Sequence, residues 1–269
     1  MTSRLPAILV LAALLVAGAG LWYYQSSLVA PLAPEPHEVV DGDWLEHLYS
    51  QNPKVAGEAA RQLTDMGASA VPKIQEVLRD PTEDVAKKKA ALKASGLLGP
   101  LAEPAVADVA EHLTDPQFTE EAAVALSFMG RNAFAPLRKA VSSTDPVVRR
   151  EALRSIGKLK ERAPLDTRAV VPLLLEGLLD VDASVRTVAA TYLGIIHEEP
   201  ITAVPALVEA LKDEDAAVRS AAAAALGSFS PDAAQSAVPA LRKAAADSNE
   251  DVAREAGVAL VKLQSSERK

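Results

Sequence analysis

An all-α solenoid, a stack of short helix pairs, is the fold class this sequence predicts, and three observations predict it. Prolines recur at positions 72, 104, 136, 172, 205 and 239, at intervals of 32, 32, 36, 33 and 34 residues. A fixed period of this length marks a repeat architecture. The phrase DVDASVRTVAATYLGII, beginning at Asp180, returns 33 residues later as DEDAAVRSAAAAALGSF, beginning at Asp213. The composition, 49% apolar but only 4% aromatic, draws on Ala, Leu and Val, which suits closely packed helices rather than strands.

Charge and cysteine content narrow the function classes. The formal charge of −8 argues against a nucleic-acid binder, whose phosphate contacts need a basic face. The absence of cysteine excludes disulfides, thiolate nucleophiles and zinc–cysteine sites.

Taken in chain order, residues 1–4 carry one charge, Arg4, and residues 5–24 carry none. Twenty helical residues at 1.5 Å each match the roughly 30 Å hydrocarbon core of a bilayer. Acidic residues dominate after the stretch until Lys54, so the positive-inside rule keeps residues 1–4 in the cytoplasm and exports the rest. The expectation is a single-pass signal anchor with Trp22, Tyr23 and Tyr24 at the far interface. The competing reading is a cleaved signal peptide with Ala17-Gly18-Ala19 as its A-x-A site. Either places the body outside the cytoplasm, in the periplasm if the source is bacterial. Residues 25–42, with Pro31, Pro34 and Pro36, read as a semi-extended linker.

Residues 43–265 form the repeat array, and 266–269 a short tail. The segment Asp43 to Tyr49 reads as an N-terminal half-repeat cap. Six proline-opened elements alternate with seven elements anchored at Val55, Val85 or Ala86, Phe118, Val148, Val185, Val218 and Val252. Apolar residues at Val218, Ala221, Ala222, Ala225, Leu226 and Phe229, and at Val204, Leu207, Val208 and Leu211, follow the helical period. The prolines are expected in first turns, where a missing N–H costs nothing, with Ser69, Thr202 and Ser236 as N-caps. Gly157, Gly194 and Gly227 recur nine residues after their valines, placed either to let neighbouring helices approach or to begin ending the helix. Ala163-Pro164-Leu165-Asp166 stretches the fourth unit and predicts a protruding loop. One helix pair cannot bury both of its apolar faces, whereas stacked pairs can.

The repeated phrase resembles the short two-helix HEAT repeat, the class grouped with the phycobilisome-lyase HEAT-like and armadillo-type repeats. The residues that carry the likeness are Asp182, Val185, Arg186, Ala189, Ala190, Leu193 and Gly194, and Asp215, Val218, Arg219, Ala222, Ala223, Leu226 and Gly227. A weaker copy is formed by Asp145, Val148, Arg149, Ala152, Ile156 and Gly157. The resemblance implies a right-handed α-solenoid of about six and a half repeats. It also implies a concave groove lined by the proline-opened helices, with Lys73, Glu76, Arg79, Asp108, Glu111, Lys139, Glu176, Glu209, Lys212, Arg242 and Lys243 exposed there. That surface is mixed in charge and points to a protein or peptide partner in the cell envelope.

Other candidate sites have plainer readings. Asp145, Asp182 and Asp215 are placed to cap the helices that follow, and Arg149, Arg186 and Arg219 to pair with aspartates or carbonyls of adjacent turns as an inter-repeat ladder. HEAT-like hydroxylases hold two irons with several His-Glu pairs. Here only His197-Glu198 lies in the array, too few for such a shell, and His197 is expected in an exposed loop. Asp247, Asn249 and Asp251 have the spacing of a calcium loop's opening but lack its glycine and its bidentate glutamate. Two basic clusters, Lys87-Lys88-Lys89 and Arg150, Arg154, Lys158, read as solvated faces, or as contacts for an anionic partner or lipid headgroups. No catalytic residue, cofactor or metal is expected. The rivals to a membrane-tethered binding scaffold are a chromophore lyase or isomerase of the same repeat group and a structural envelope spacer.

Overall fold

The computed structural model describes residues 44–264. The membrane-anchor expectation (5–24), the linker and the tail lie outside the described residues. No helix among the described residues is long and apolar enough to cross a membrane.

The described chain is all-helical. A short helix α1 (Trp44–His47) precedes α2 (Pro53–Met66), α3 (Val71–Arg79), α4 (Val85–Leu98), α5 (Val106–Glu111), α6 (Thr119–Leu126), α7 (Phe134–Ala140) and α8 (Pro146–Arg162). There follow α9 (Thr167–Gly177), α10 (Ala183–Ile196), α11 (Pro200–Ala210), α12 (Ala216–Leu226), the single turn α13 (Pro231–Ala234), α14 (Val238–Ala244) and α15 (Glu250–Gln264). The Val-anchored helices α2, α4, α6, α8, α10, α12 and α15 alternate with the proline-opened α3, α5, α7, α9, α11 and α14. One apolar core runs without interruption from Leu45 to Leu263, as expected when each pair buries its faces only against its neighbours.

The helix starts follow from local chemistry. Asn52, Asp84, Asp145, Asp166, Asp182 and Asp215 each accept a backbone N–H of the first turn in their side chain, satisfying donors the helix leaves free. The proline-opened helices begin differently from expectation. Short 3-10 turns lead into α3, α5, α7 and α14. Ser69 and Thr202 do not cap; their hydroxyls donate to the carbonyls of Met66 and Glu199, and Ser236 lies inside a 3-10 turn. Pro172 and Pro205 sit inside α9 and α11 rather than in their first turns, because those helices start earlier, at Thr167 and Pro200. The stretched segment Ala163–Asp166 is a loop held down at Leu165, whose carbonyl accepts the Lys160 ammonium at 2.9 Å.

The two helix layers are spaced differently. Val-anchored neighbours approach backbone to backbone: a Cβ on Gly194 would stand 2.5 Å from Ala225 Cα, and one on Gly227 would stand 2.9 Å from Ala259 Cα. Proline-opened neighbours are separated by open clefts instead. One of about 560 Å³ lies between α5 and α7, and one of about 520 Å³ between α11 and α14. Long side chains bridge such gaps, as Gln75 and Arg79 do when they reach Asp108.

Candidate functional site

The residues of the repeated phrase form a ladder. The Arg149 guanidinium donates in a two-pronged fork to Asp180, with both bonds at 2.7 Å, and its third nitrogen reaches the carbonyls of Ser143 and Thr144. Arg186 repeats the arrangement with Asp213 at 2.8 Å and the carbonyls of Asp180 and Val181. Arg219 does so with Asp247 at 2.8 and 2.9 Å and the carbonyls of Asp213 and Glu214. Each arginine thus ties its own inter-helix turn to the next repeat, a geometry for which the planar fork is suited.

The capping aspartates are separate residues, two positions further on. Asp145, Asp182 and Asp215 accept the N–H groups of Val147, Ser184 and Ala217. The sequence reading assigns no ladder role to the acceptors Asp180, Asp213 and Asp247, although the D-x-D spacing at 180/182 and 213/215 marks the first two. The aspartates of the calcium-like spacing are also engaged. Asp247 belongs to the ladder, Asn249 accepts the N–H groups of Asp251 and Val252, and Asp251 pairs with Arg254 at 2.6 Å.

The ladder carboxylates are held below their ordinary range. For Asp180 the cause is chiefly the Arg149 fork. Burial opposes the shift at Asp213, but the Arg186 fork and the Asp215 N–H prevail. For Asp247 the Arg219 fork acts first and the Asn249 N–H second. A carboxylate with a depressed folded-state pKa stabilises the fold above its unfolded value, about 3.9, and that contribution is lost as pH falls through the folded value. Thermal melts followed by circular dichroism should therefore show a midpoint that is flat from neutrality to about pH 5 and falls below it. A midpoint rising on acidification would contradict the ladder's electrostatic role.

The side chains expected to line a concave groove lie elsewhere than expected. A stack that is tight on one layer and spread on the other curves toward the tight layer, so the proline-opened helices face outward. Lys73 and Glu76 pair with each other at 3.2 Å, as do Glu209 and Lys212 at 2.8 Å. Glu111, Lys139, Glu176, Arg242 and Lys243 are exposed on the same outer layer. Asp108 is buried, not exposed, because Gln75 and Arg79 both donate to it, at 2.7 and 2.6 Å.

Two basic clusters occupy the Val-anchored layer. Lys88 is buried, and Lys89 pairs with Glu121 at 2.6 Å, so the triple lysine is not a free patch. Arg150 and Arg154 both pair with Glu151, at 2.9 and 3.1 Å, and Glu151 is only 2% exposed. His197 is exposed and ends α10 in the left-handed conformation, φ 38°. Glu198 turns to Thr167 and Lys160. Among the described residues no three His, Asp or Glu side chains cluster as metal ligands do.

A groove that sequence reasoning missed lies across α4 and α6. Its volume is about 440 Å³, and Tyr49, Leu97, Val124 and Phe128 line it above a floor containing Gly96 and Ala125. The signal in the sequence is weak, because these copies lack the Val-Arg pair and their exposed apolar residues fall within helical periods that already explain core packing.

Comparison with known families gives a match to HEAT repeats over residues 104–194 and 171–262, together more than half of the chain. No curated protein matches. The X-ray structure of YibA from E. coli aligns with a TM-score of 0.55 at 18% identity, covering 82% of this chain and 81% of that one. Kap121p aligns with a TM-score of 0.59 at 15% identity over 78% of this chain, which spans 28% of Kap121p. At these identities the likeness is one of fold.

Proposed function

Since the chain belongs to the HEAT-repeat family, we propose that it is a binding scaffold whose Val-anchored, inner layer docks a protein or peptide partner. In this reading the array is a right-handed solenoid of about six and a half repeats. Residues 5–24 tether it to a membrane, and it stands on the extracytoplasmic side. It performs no chemistry of its own; it supplies a preformed surface.

The observation that carries the reading is how the charged residues are used. The recurring Asp and Arg of each phrase are consumed in bidentate bonds between repeats, which fix the relative placement of successive helices. What remains for a partner is a row of side chains on rigid helices, one set per repeat: Val124 on α6, Arg154 on α8, Thr191 on α10 and Ala224 on α12. Such an array assembles an extended contact from many small terms, with ordering costs already met by the fold.

Photocrosslinking in intact cells tests this. A benzophenone side chain at Val124, Thr191 or Ala224 of the full-length protein should give discrete protein adducts, while the same group at Lys139 or Glu209 should not. Adducts from the outer positions alone, or from none, would end the inner-face scaffold reading. A fusion of alkaline phosphatase after residue 269 should be active only if the body is exported.

A further inference from the structure

We propose that the α4–α6 groove and the adjoining basic ridge of α8 take an acidic peptide segment carrying a bulky apolar side chain. This deepens the scaffold reading and rests on it. Singly exposed apolar residues are ordinary on a protein surface, but here four large ones face a single cavity. Leu97 is 54% exposed and Phe128 40% exposed, and Tyr49 and Val124 complete the walls. The depth comes from small residues at the floor, since a Cβ on Gly96 would stand 3.3 Å from Ala125 Cα. A volume of about 440 Å³ accommodates a few apolar side chains and is open enough for a chain to enter.

The charges around the groove give the occupant its sign. At the α8 end the Arg162 guanidinium lies 4.1 Å from the centre of the Phe128 ring. It continues the row of Arg150, Arg154 and Lys158, one cation per helical turn and about 6 Å apart. Arg150 and Arg154 share the single carboxylate of Glu151, which is buried and out of a partner's reach. No carboxylate among the described residues forms an ion pair with Lys158 or Arg162. The facing residues of α10, namely Thr187, Thr191 and Ile195, carry no charge.

Carboxylates nearby do not reverse this. Glu121 lines the groove but is taken by Lys89, Glu161 lies beside Arg162 on α8, and Glu120 lines the groove in the first turn of α6, whereas Phe128 follows its last turn. The ridge is therefore net positive in a chain of formal charge −8, and its last cation, Arg162, borders the apolar groove. A side chain seated on Phe128 would also cover Arg162, and a carboxylate beside it would pair in a partly desolvated setting, where ion pairs are stronger.

The test uses full-length protein and three fluorescein-labelled peptides of twelve residues: one with Leu and Phe between Glu and Asp, one with Lys at every acidic position, and one with Ser replacing Leu and Phe. Fluorescence anisotropy should show binding of the first only, weakening as salt rises. Phe128→Ala and Arg162→Glu should each weaken it at least tenfold, and Glu209→Lys should leave it unchanged. Both inner-face residues are exposed, so circular dichroism should show unaltered folding; Val124→Asp provides a third variant with the same expected loss. Equal or tighter binding of the Lys peptide, or an Arg162→Glu variant that binds normally, would overturn the proposal. So would Arg162-dependent binding to phosphatidylglycerol vesicles with no peptide binding. If no peptide binds while inner-face crosslinks persist, this assignment falls and the scaffold reading stands.

Discussion

Replacing Arg186 with methionine should lower the stability of the array by about 2–3 kcal/mol, less than the 3–5 kcal/mol typical of breaking a fully buried pair. Arg186 is 8% exposed and donates four hydrogen bonds, two to Asp213 and two to carbonyls of its own turn. The substitution keeps most of the apolar stem but strands a carboxylate whose side chain is 13% exposed. Water reaches it in part, which is why the loss stays below the fully buried value. Arg186→Lys should recover only part of the stability, because a point charge cannot reproduce the fork. Adding Asp213→Leu to Arg186→Met should restore more than half of the loss, since removing both partners leaves no stranded charge. Urea unfolding of the three variants reads the result. A double variant no more stable than the single one would show that the carbonyl bonds, not the Asp213 pair, carry the effect. The acid dependence should also become shallower in Arg186→Met, because Asp213 would lose the Arg186 fork that helps hold it below its ordinary range.

The repeat, its period and its two helix types were legible in the sequence because each is a one-dimensional signal: a proline every 32 to 36 residues and apolar residues at helical spacing. The caps at Asp145, Asp182 and Asp215 were legible for the same reason, since a cap acts within three residues. The ladder acceptors were not, because Asp180, Asp213 and Asp247 bond to an arginine 27 to 31 residues away, a distance that means proximity only once the stacking is known. The inner face was misplaced because periodicity identifies which side of a helix is buried but not which layer of the stack is closer packed. Gly194 and Gly227 carried that information, and only their opposite numbers, Ala225 and Ala259, reveal it. The 3-10 turns leading into α3, α5, α7 and α14 were likewise invisible, because prolines fit the start of either helix type.

That same close approach makes two identical substitutions act with opposite sign. Gly194→Ala should destabilise the protein by about 2 kcal/mol or more, and Gly257→Ala should stabilise it by up to about 1 kcal/mol. Both glycines lie inside helices, α10 and α15, where alanine gains roughly 1 kcal/mol by propensity. At Gly257 a new Cβ meets nothing within 4 Å, so only that gain remains. At Gly194 it would meet Ala225 Cα at 2.5 Å and Ala225 Cβ at 2.7 Å. The obstacle is backbone and a methyl with no rotamer to change, so α10 and α12 must move apart. Overpacking of this kind costs about 1–3 kcal/mol in ordinary cores, and here it reaches the upper end because no flexible side chain absorbs it. In a stacked array the damage is confined to one interface. Hydrogen exchange should therefore show α12 and α15 losing protection while α4 and α6 keep theirs. Equal protection losses along the whole stack would mean that the repeats fold as one cooperative block and not as coupled neighbours.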